Sequence, residues 1–314
     1  MTPTTPLFHN TSNVVKLVLF ICIVFVSFII CMVLGFLIAL PIFGISFPEL
    51  LKAITQSTNP EYISIIKYFQ AVSQFGLFIL PVIIFALLVS RNMMDYLQIN
   101  HRTKILSIVI SILIMVVSIP LINWLADLNS KMQLPASLAG IENWMKESED
   151  AAAKITEAFL NVSTIFGLLS NLFIIALLAA IGEEFFFRGI LQKLFYDWTK
   201  NIHVAVFLSA ILFGAFHLQF YGFIPRVLLG ALFGYLLYWS GSLWLPIMAH
   251  FTNNALAVIM DFLERKKQIN FDADKIGTED NAVLLVLLSL IIVGALIFLF
   301  YRTEKTKPEI PLQI

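Results

Sequence analysis

Charge is what this sequence has least of. Only 13% of its 314 residues are Asp, Glu, Lys or Arg, about half the share of a soluble domain. Acidic and basic residues cancel at 20 each, and no polybasic tract occurs. That removes nucleic acid as an implied partner. Cysteine is almost absent. Cys22 and Cys31 share one apolar run and stand about 13 Å apart on a helix, too far for a disulfide with each other. They read as small apolar residues and say nothing of a redox compartment. Hydrophobic residues fill the space that charge leaves, at 59% of the chain, with a mean hydropathy of +0.90. The chain reads as an all-α, polytopic membrane protein forming one integrated domain.

Long uncharged runs place the spans. The first covers 17–48, with Pro41 ending or kinking it, and is too long for a signal-peptide core. A polar loop is expected over 49–67, where Asn59-Pro60 signals a turn, then a second span over 68–90. A short loop with Arg91, Arg102 and Lys104 leads to a third span over 105–126. The longest polar stretch is 127–157, and 138–159 within it has the spacing of an amphipathic surface helix. The fourth span, 158–182, runs into Glu183 and Glu184, and its helix continues to about Trp198. A fifth span is expected over 204–225. Ser240-Gly241-Ser242 divides the next run into 226–239 and 243–262. After a charged loop over 261–280, the last span is 281–301, followed by a basic tail with Arg302, Lys305 and Lys307.

The count is eight spans in three sections: N-terminal helices over 1–157 with the polar loop at 127–157, a helix core over 158–262, and the loop, last helix and tail over 263–314. No internal repeat is visible. The Lys/Arg bias of the short loops sets the orientation. It gathers Arg91, Arg102, Lys104, Lys193, Lys200 and the basic C-terminus on one side and puts the acidic 127–157 stretch on the other. Both termini are then expected in the cytoplasm, in the inner (plasma) membrane if the source is bacterial. The Glu264-Arg265-Lys266-Lys267 run goes against this assignment. On the same reading Glu183 lies a little inside the cytoplasmic face.

Few ionisable groups remain at membrane depth: Glu183, Glu184, Arg188, His217, Arg226 and His250. Each is costly there without a partner or a task. Glu184 and Arg188 are one helical turn apart and can pair, whereas Glu183 points about 100° away and has no local partner. His250 and Asn254 share a helix face. Three separate spans thus offer a carboxylate, an imidazole, and an imidazole with an amide. Glu183, His217 and His250 form the ligand set that zinc takes at an open site. The same groups can hold a water without metal, with a Glu as base and donors for an oxyanion. The ordinary reading of each residue alone is structural. A buried His usually packs and hydrogen-bonds, Arg226 at a span end snorkels to the interface, and Phe185 to Phe187 pack. His9, His101 and His203 read as loop or interface residues, and Asn10-Thr11-Ser12 and Asn161-Val162-Ser163 carry no claim.

Absent motifs narrow the chemistry further. There is no His-Glu-x-x-His and no Gly-x-Gly-Asp, and Ser240-Gly241-Ser242 sits in a connection and lacks the Gly-x-Ser-x pattern of rhomboids. Glu-Glu-x-x-x-Arg, Phe-x-x-x-His and His-x-x-x-Asn do occur, in that order, across 160–262. This set resembles the CAAX-processing and bacteriocin-immunity (ABI, or CPBP) family of glutamate-dependent intramembrane proteases. The resemblance implies an intramembrane endopeptidase acting on a membrane-associated protein or peptide. It implies that Glu183 activates the attacking water and that His217, His250 and Asn254 bind metal or the water and oxyanion. Glu184 and Arg188 then support the site. A zinc ion is the cofactor it raises, and lipid is the other partner. Two other readings use the same residues: an idle site in a non-catalytic immunity or binding protein, and a proton or ion relay in a transporter, against which stands the lack of a repeat.

Overall fold

The structure is a computed structural model that describes residues 6–8, 11–268, 275–279 and 281–305. His9, Asn10 and Lys307 lie outside the described residues, as does part of the 261–280 loop. Helices account for the architecture, and no strand occurs among the described residues.

Helix α1, Asn13–Phe43, opens on the Ser12 side chain, carries Pro41 in its last turn and stops at Gly44, where φ is 63°. The next stretch is not the polar loop expected over 49–67. Ser46 and Glu49 form a capping box that starts α2, Phe47–Thr55. Asn59 then caps the turn that opens α3, Pro60–Val89. A single turn, Met93–Tyr96, precedes α4, Ile105–Ser130. The amphipathic stretch is helical as α5, Ala139–Leu160.

The fourth run is also cut differently from expectation. The helix is interrupted at 161–164, where Thr164 accepts a hydrogen bond from the Gly167 backbone at 3.0 Å and so caps a new helix, α6, Ile165–Thr199. The run 204–225 is not one span either. It comprises α7, Ile202–Phe216, a turn in which Leu218 takes φ 52°, and the start of α8, Phe223–Ser240. Helix α9, Trp244–Arg265, and α10, Val283–Glu304, complete the chain.

Among the described residues, six helices are long and apolar enough to cross a membrane by length and composition, against the eight spans expected: α1, α3, α4, α6, α8 and α10. Helix α7 has only 15 residues. Helix α9 gives up apolarity to His250, Thr252, Asn253 and Asn254.

Long-range bonds sort the connections onto two faces. On one, the Phe8 amide donates to Leu88 O at 3.1 Å and Trp244 Nε1 to Ile99 O at 2.7 Å. Lys193 bonds Tyr96 O there, and Lys104 bonds Thr303 O. This basic face therefore carries 88–104, the end of α6, the α8–α9 turn and the end of α10. On the other face α5 lies over the α7–α8 tip. The Tyr221 amide donates to Glu149 Oε2 at 3.3 Å, and the Trp144 and Phe220 rings are 5.1 Å apart. Asn129 at the end of α4 clamps the same tip through Phe220 O and the Ile224 amide.

The two faces predict a labelling pattern. In a chain with Cys22 and Cys31 changed to alanine, Ala153→Cys on exposed α5 should react with an impermeant maleimide from outside intact cells. Lys200→Cys, 70% exposed at the end of α6, should react only after permeabilisation. Labelling of both from one side contradicts the arrangement; labelling with the sides exchanged inverts the Lys/Arg assignment.

Candidate active site

Two adjacent carboxylates sit near the middle of α6, in an α-helical segment, Ala179–Glu184, bracketed by π-helical turns, Leu172–Leu178 and Phe185–Leu191. Such wide turns re-aim side chains and are frequent at functional sites. Glu184 points into protein and Glu183 toward a cavity.

Glu184 and Arg188 are both fully buried and paired, Nη1 donating to Oε1 at 2.8 Å. The other arm of the guanidinium, Nη2, donates to Gly230 O of α8 at 2.8 Å. Helices α7 and α8 approach closely here: a Cβ at 230 would lie 3.1 Å from the Ala210 Cα and 3.2 Å from Arg188 Nη2, a tight fit. Aromatic faces take up the rest of the cation, with Phe213 at 4.6 Å and Phe233 at 5.4 Å. Glu184 Oε1 also meets His250 Nδ1 at 2.8 Å, and the His250 ring stacks on Phe233 at 5.2 Å. One carboxylate thereby ties α6 to α9 and, through Arg188, to α8.

Glu183 Oε2 is buried and has no hydrogen-bond partner. His217 Nε2 and His250 Nε2 each stand 3.9 Å from it, too far for a direct hydrogen bond. The tautomers follow from the opposite ring nitrogens. His217 Nδ1 is 2.9 Å from Phe213 O, which can only accept, so Nδ1 carries the hydrogen. His250 Nδ1 likewise donates to the Glu184 carboxylate. When both rings are neutral, each Nε2 presents a lone pair toward Glu183. Three electron-rich atoms converge with nothing donated between them, an arrangement that calls for a water, a proton or a cation.

Asn254 lines the same cavity, but its Nδ2 already donates to Ile175 O at 3.2 Å; its second N–H hydrogen is uncommitted by that bond. The cavity measures about 470 Å³ and is bounded by α3, the last turn of α5, the first half of α6 and the second half of α9. It leads toward the face that carries α5.

Sequence reasoning missed several lining residues: Gln70, Gln74, Gln219 and Asn253. Gln70 and Gln74 are one turn apart on an apolar span, a polar pair that a search confined to ionisable groups passes over. Arg226 is tied to the α7–α8 tip. Its Nη1 donates to Gln219 O at 2.9 Å and its Nη2 to Gln219 Oε1 at 2.5 Å, at the cavity wall. Phe186 and Phe187 are core residues, as expected. His101 and His203 lie elsewhere, bonded to Gly241 O and Tyr235 Oη.

Fold and site together define an all-helical membrane protein with a buried Glu–His–His centre. Residues 165–256 match the family described as "Type II CAAX prenyl endopeptidase Rce1-like", so the resemblance read from the three motifs holds over that segment. Two proteins of Bacillus subtilis (strain 168) are similar to the chain. "Putative membrane peptidase YdiL" is 30% identical over 115 residues, 37% of this chain and 44% of that protein. "Uncharacterized protein YpbD" is 28% identical over 92 residues, 28% of this chain and 44% of that protein. The chain thus spans less than half the length of these relatives. No solved structure matches.

Zinc is fitted by chemistry more than by spacing. The set of one carboxylate and two neutral imidazoles, with Glu184 behind His250, is of zinc type. Yet the 3.9 Å separations exceed the roughly 3.4 Å between ligands of a tetrahedral zinc, and among the described residues no metal-site group of three His, Cys, Asp or Glu occurs.

The buried pair yields a stability prediction. Arg188→Met strands the Glu184 charge and should cost about 3–5 kcal/mol, read as a lower unfolding temperature in detergent. Glu184→Gln with Arg188→Met should recover part of that loss. Strictly additive effects would mean that the two residues do not act as a pair.

Proposed function

We propose that the chain is an intramembrane endopeptidase, in which Glu183 activates a water to cleave a peptide bond of a membrane-associated protein or peptide. One observation carries this reading: the unpartnered Glu183 Oε2 faces two imidazole nitrogens at 3.9 Å in a cavity large enough for an extended backbone. The match of residues 165–256 to an endopeptidase family supports it.

A water held between Glu183 Oε2 and the two Nε2 atoms gives its proton to Glu183 as its oxygen attacks the scissile carbonyl carbon. The carbonyl oxygen becomes an oxyanion, stabilised by the free N–H of Asn254 and the charge of Arg226 at the cavity wall. Glu183 then passes its proton to the leaving nitrogen as the C–N bond breaks. Glu184 holds the His250 ring in one orientation throughout, and Arg188 fixes the Glu184 carboxylate in place. Glu183, His217 and His250 are the residues that would hold a zinc ion, which when bound supplies Lewis-acid chemistry and a more acidic water.

Glu183→Gln should remove cleavage by about 100-fold or more, while the unfolding temperature stays close to wild type. The substrate is found in the same experiment, by comparing new peptide termini in membranes that contain wild-type or Glu183→Gln protein. Termini that are identical in the two membranes would refute proteolysis. Metal analysis of the purified chain accompanies it: stoichiometric zinc in wild type that is lost in Glu183→Gln assigns the ion to these three residues.

A further inference from the structure

A second cavity, of about 520 Å³, lies between α3 and α6 on the other side of the α5 end. Lys67 lines it. This lysine is only 8% exposed, and among the described residues it has no ion pair or hydrogen bond. Its one contact of note is the Phe159 ring, 5.7 Å from Nζ. An ammonium buried without a counter-ion is expensive at membrane depth. The wall around it supplies hydroxyls from Thr58, Ser64 and Ser170. These are complements for one anion with several acceptor oxygens.

Position says where that anion comes from. Lys67 sits about two turns inside the start of α3, and Ser170 a little over one turn inside the start of α6, near where span meets interface. Outside the cleft α6 is apolar and open: Phe166 is 79% exposed, Ile165 67% and Phe173 56%. Such a rim suits acyl chains, while the interior suits a charged group. We infer that this cleft binds the phosphate of a membrane lipid headgroup, with Lys67 as its counter-charge.

The site has a structural consequence. The end of α5 is the partition between the two cavities. Ala158, Asn161 and Val162 face the lysine cavity, and Phe159 and Leu160 face Glu183. Asn171 fixes this partition to α6 by donating to Phe159 O at 2.8 Å. A bound headgroup holds one wall of the Glu183 cavity in place, whatever that cavity does.

The test is native mass spectrometry of the full chain released from nanodiscs of phosphatidylglycerol and phosphatidylcholine. One retained lipid per chain is expected with wild type and with Lys67→Arg, and about fivefold lower occupancy with Lys67→Met. Lys67→Met removes an unpaired buried charge, so it should fold, and its unfolding temperature checks this. Loss of either lipid in Lys67→Met supports the site. Equal retention in wild type and Lys67→Met overturns it, as does an adduct of inorganic phosphate that forms with no retained lipid. A change in peptide cleavage with unchanged lipid retention also overturns it and gives the lysine to the peptide.

Discussion

Everything near the centre of this protein depends on one shared oxygen. Glu184 Oε1 accepts from Arg188 and from His250, each at 2.8 Å, in surroundings that exclude solvent. A lone carboxylate there would be neutralised or excluded. The guanidinium offsets that penalty, and its own burial is met by the Gly230 carbonyl on its second arm and by three phenylalanine rings that face it. The pair is a device for placement more than for stability, since buried ion pairs repay little of their desolvation. What it places is the His250 ring, with its tautomer fixed. Two neighbouring glutamates thus divide the work: one is fully committed to structure, so the other can remain uncommitted.

That division was half legible in sequence. The pairing of Glu184 with Arg188 follows from helical spacing, which survives the π-helical turn beginning at Phe185. The solitary state of Glu183 follows from the same spacing. The bond from Glu184 to His250 does not, because it joins residues 66 apart in sequence on helices whose rotation no local pattern records. The two π-helical turns that flank Glu183 and Glu184 escape the sequence for a related reason. Hydropathy fixes depth but not azimuth, and the two π-helical turns shift azimuth without changing composition. Single-residue caps were the other blind spot. Ser46, Asn59 and Thr164 each start a helix inside a stretch that average polarity assigns to loop or continuous span.

The part of the chain outside 165–256 also has a clearer place than its composition gave it. Helix α3 contributes Gln70 and Gln74 to the Glu183 cavity, and Gln74 Oε1 is buried there without a partner. Helix α5 contributes Ile155, Phe159 and Leu160. The matched segment holds the acid–base side chains, whereas these walls come from 60–89 and 139–160. On the proteolytic reading, an extended peptide lying against Glu183 meets the Gln74 acceptor and the α5 side chains as well as the matched segment. Backbone N–H groups of such a peptide suit an unpartnered amide oxygen, and its side chains meet Ile155 and Phe159. On that reading the α3 and α5 walls share in the choice of substrate with the matched segment, and they stand outside the Glu184–Arg188–His250 frame.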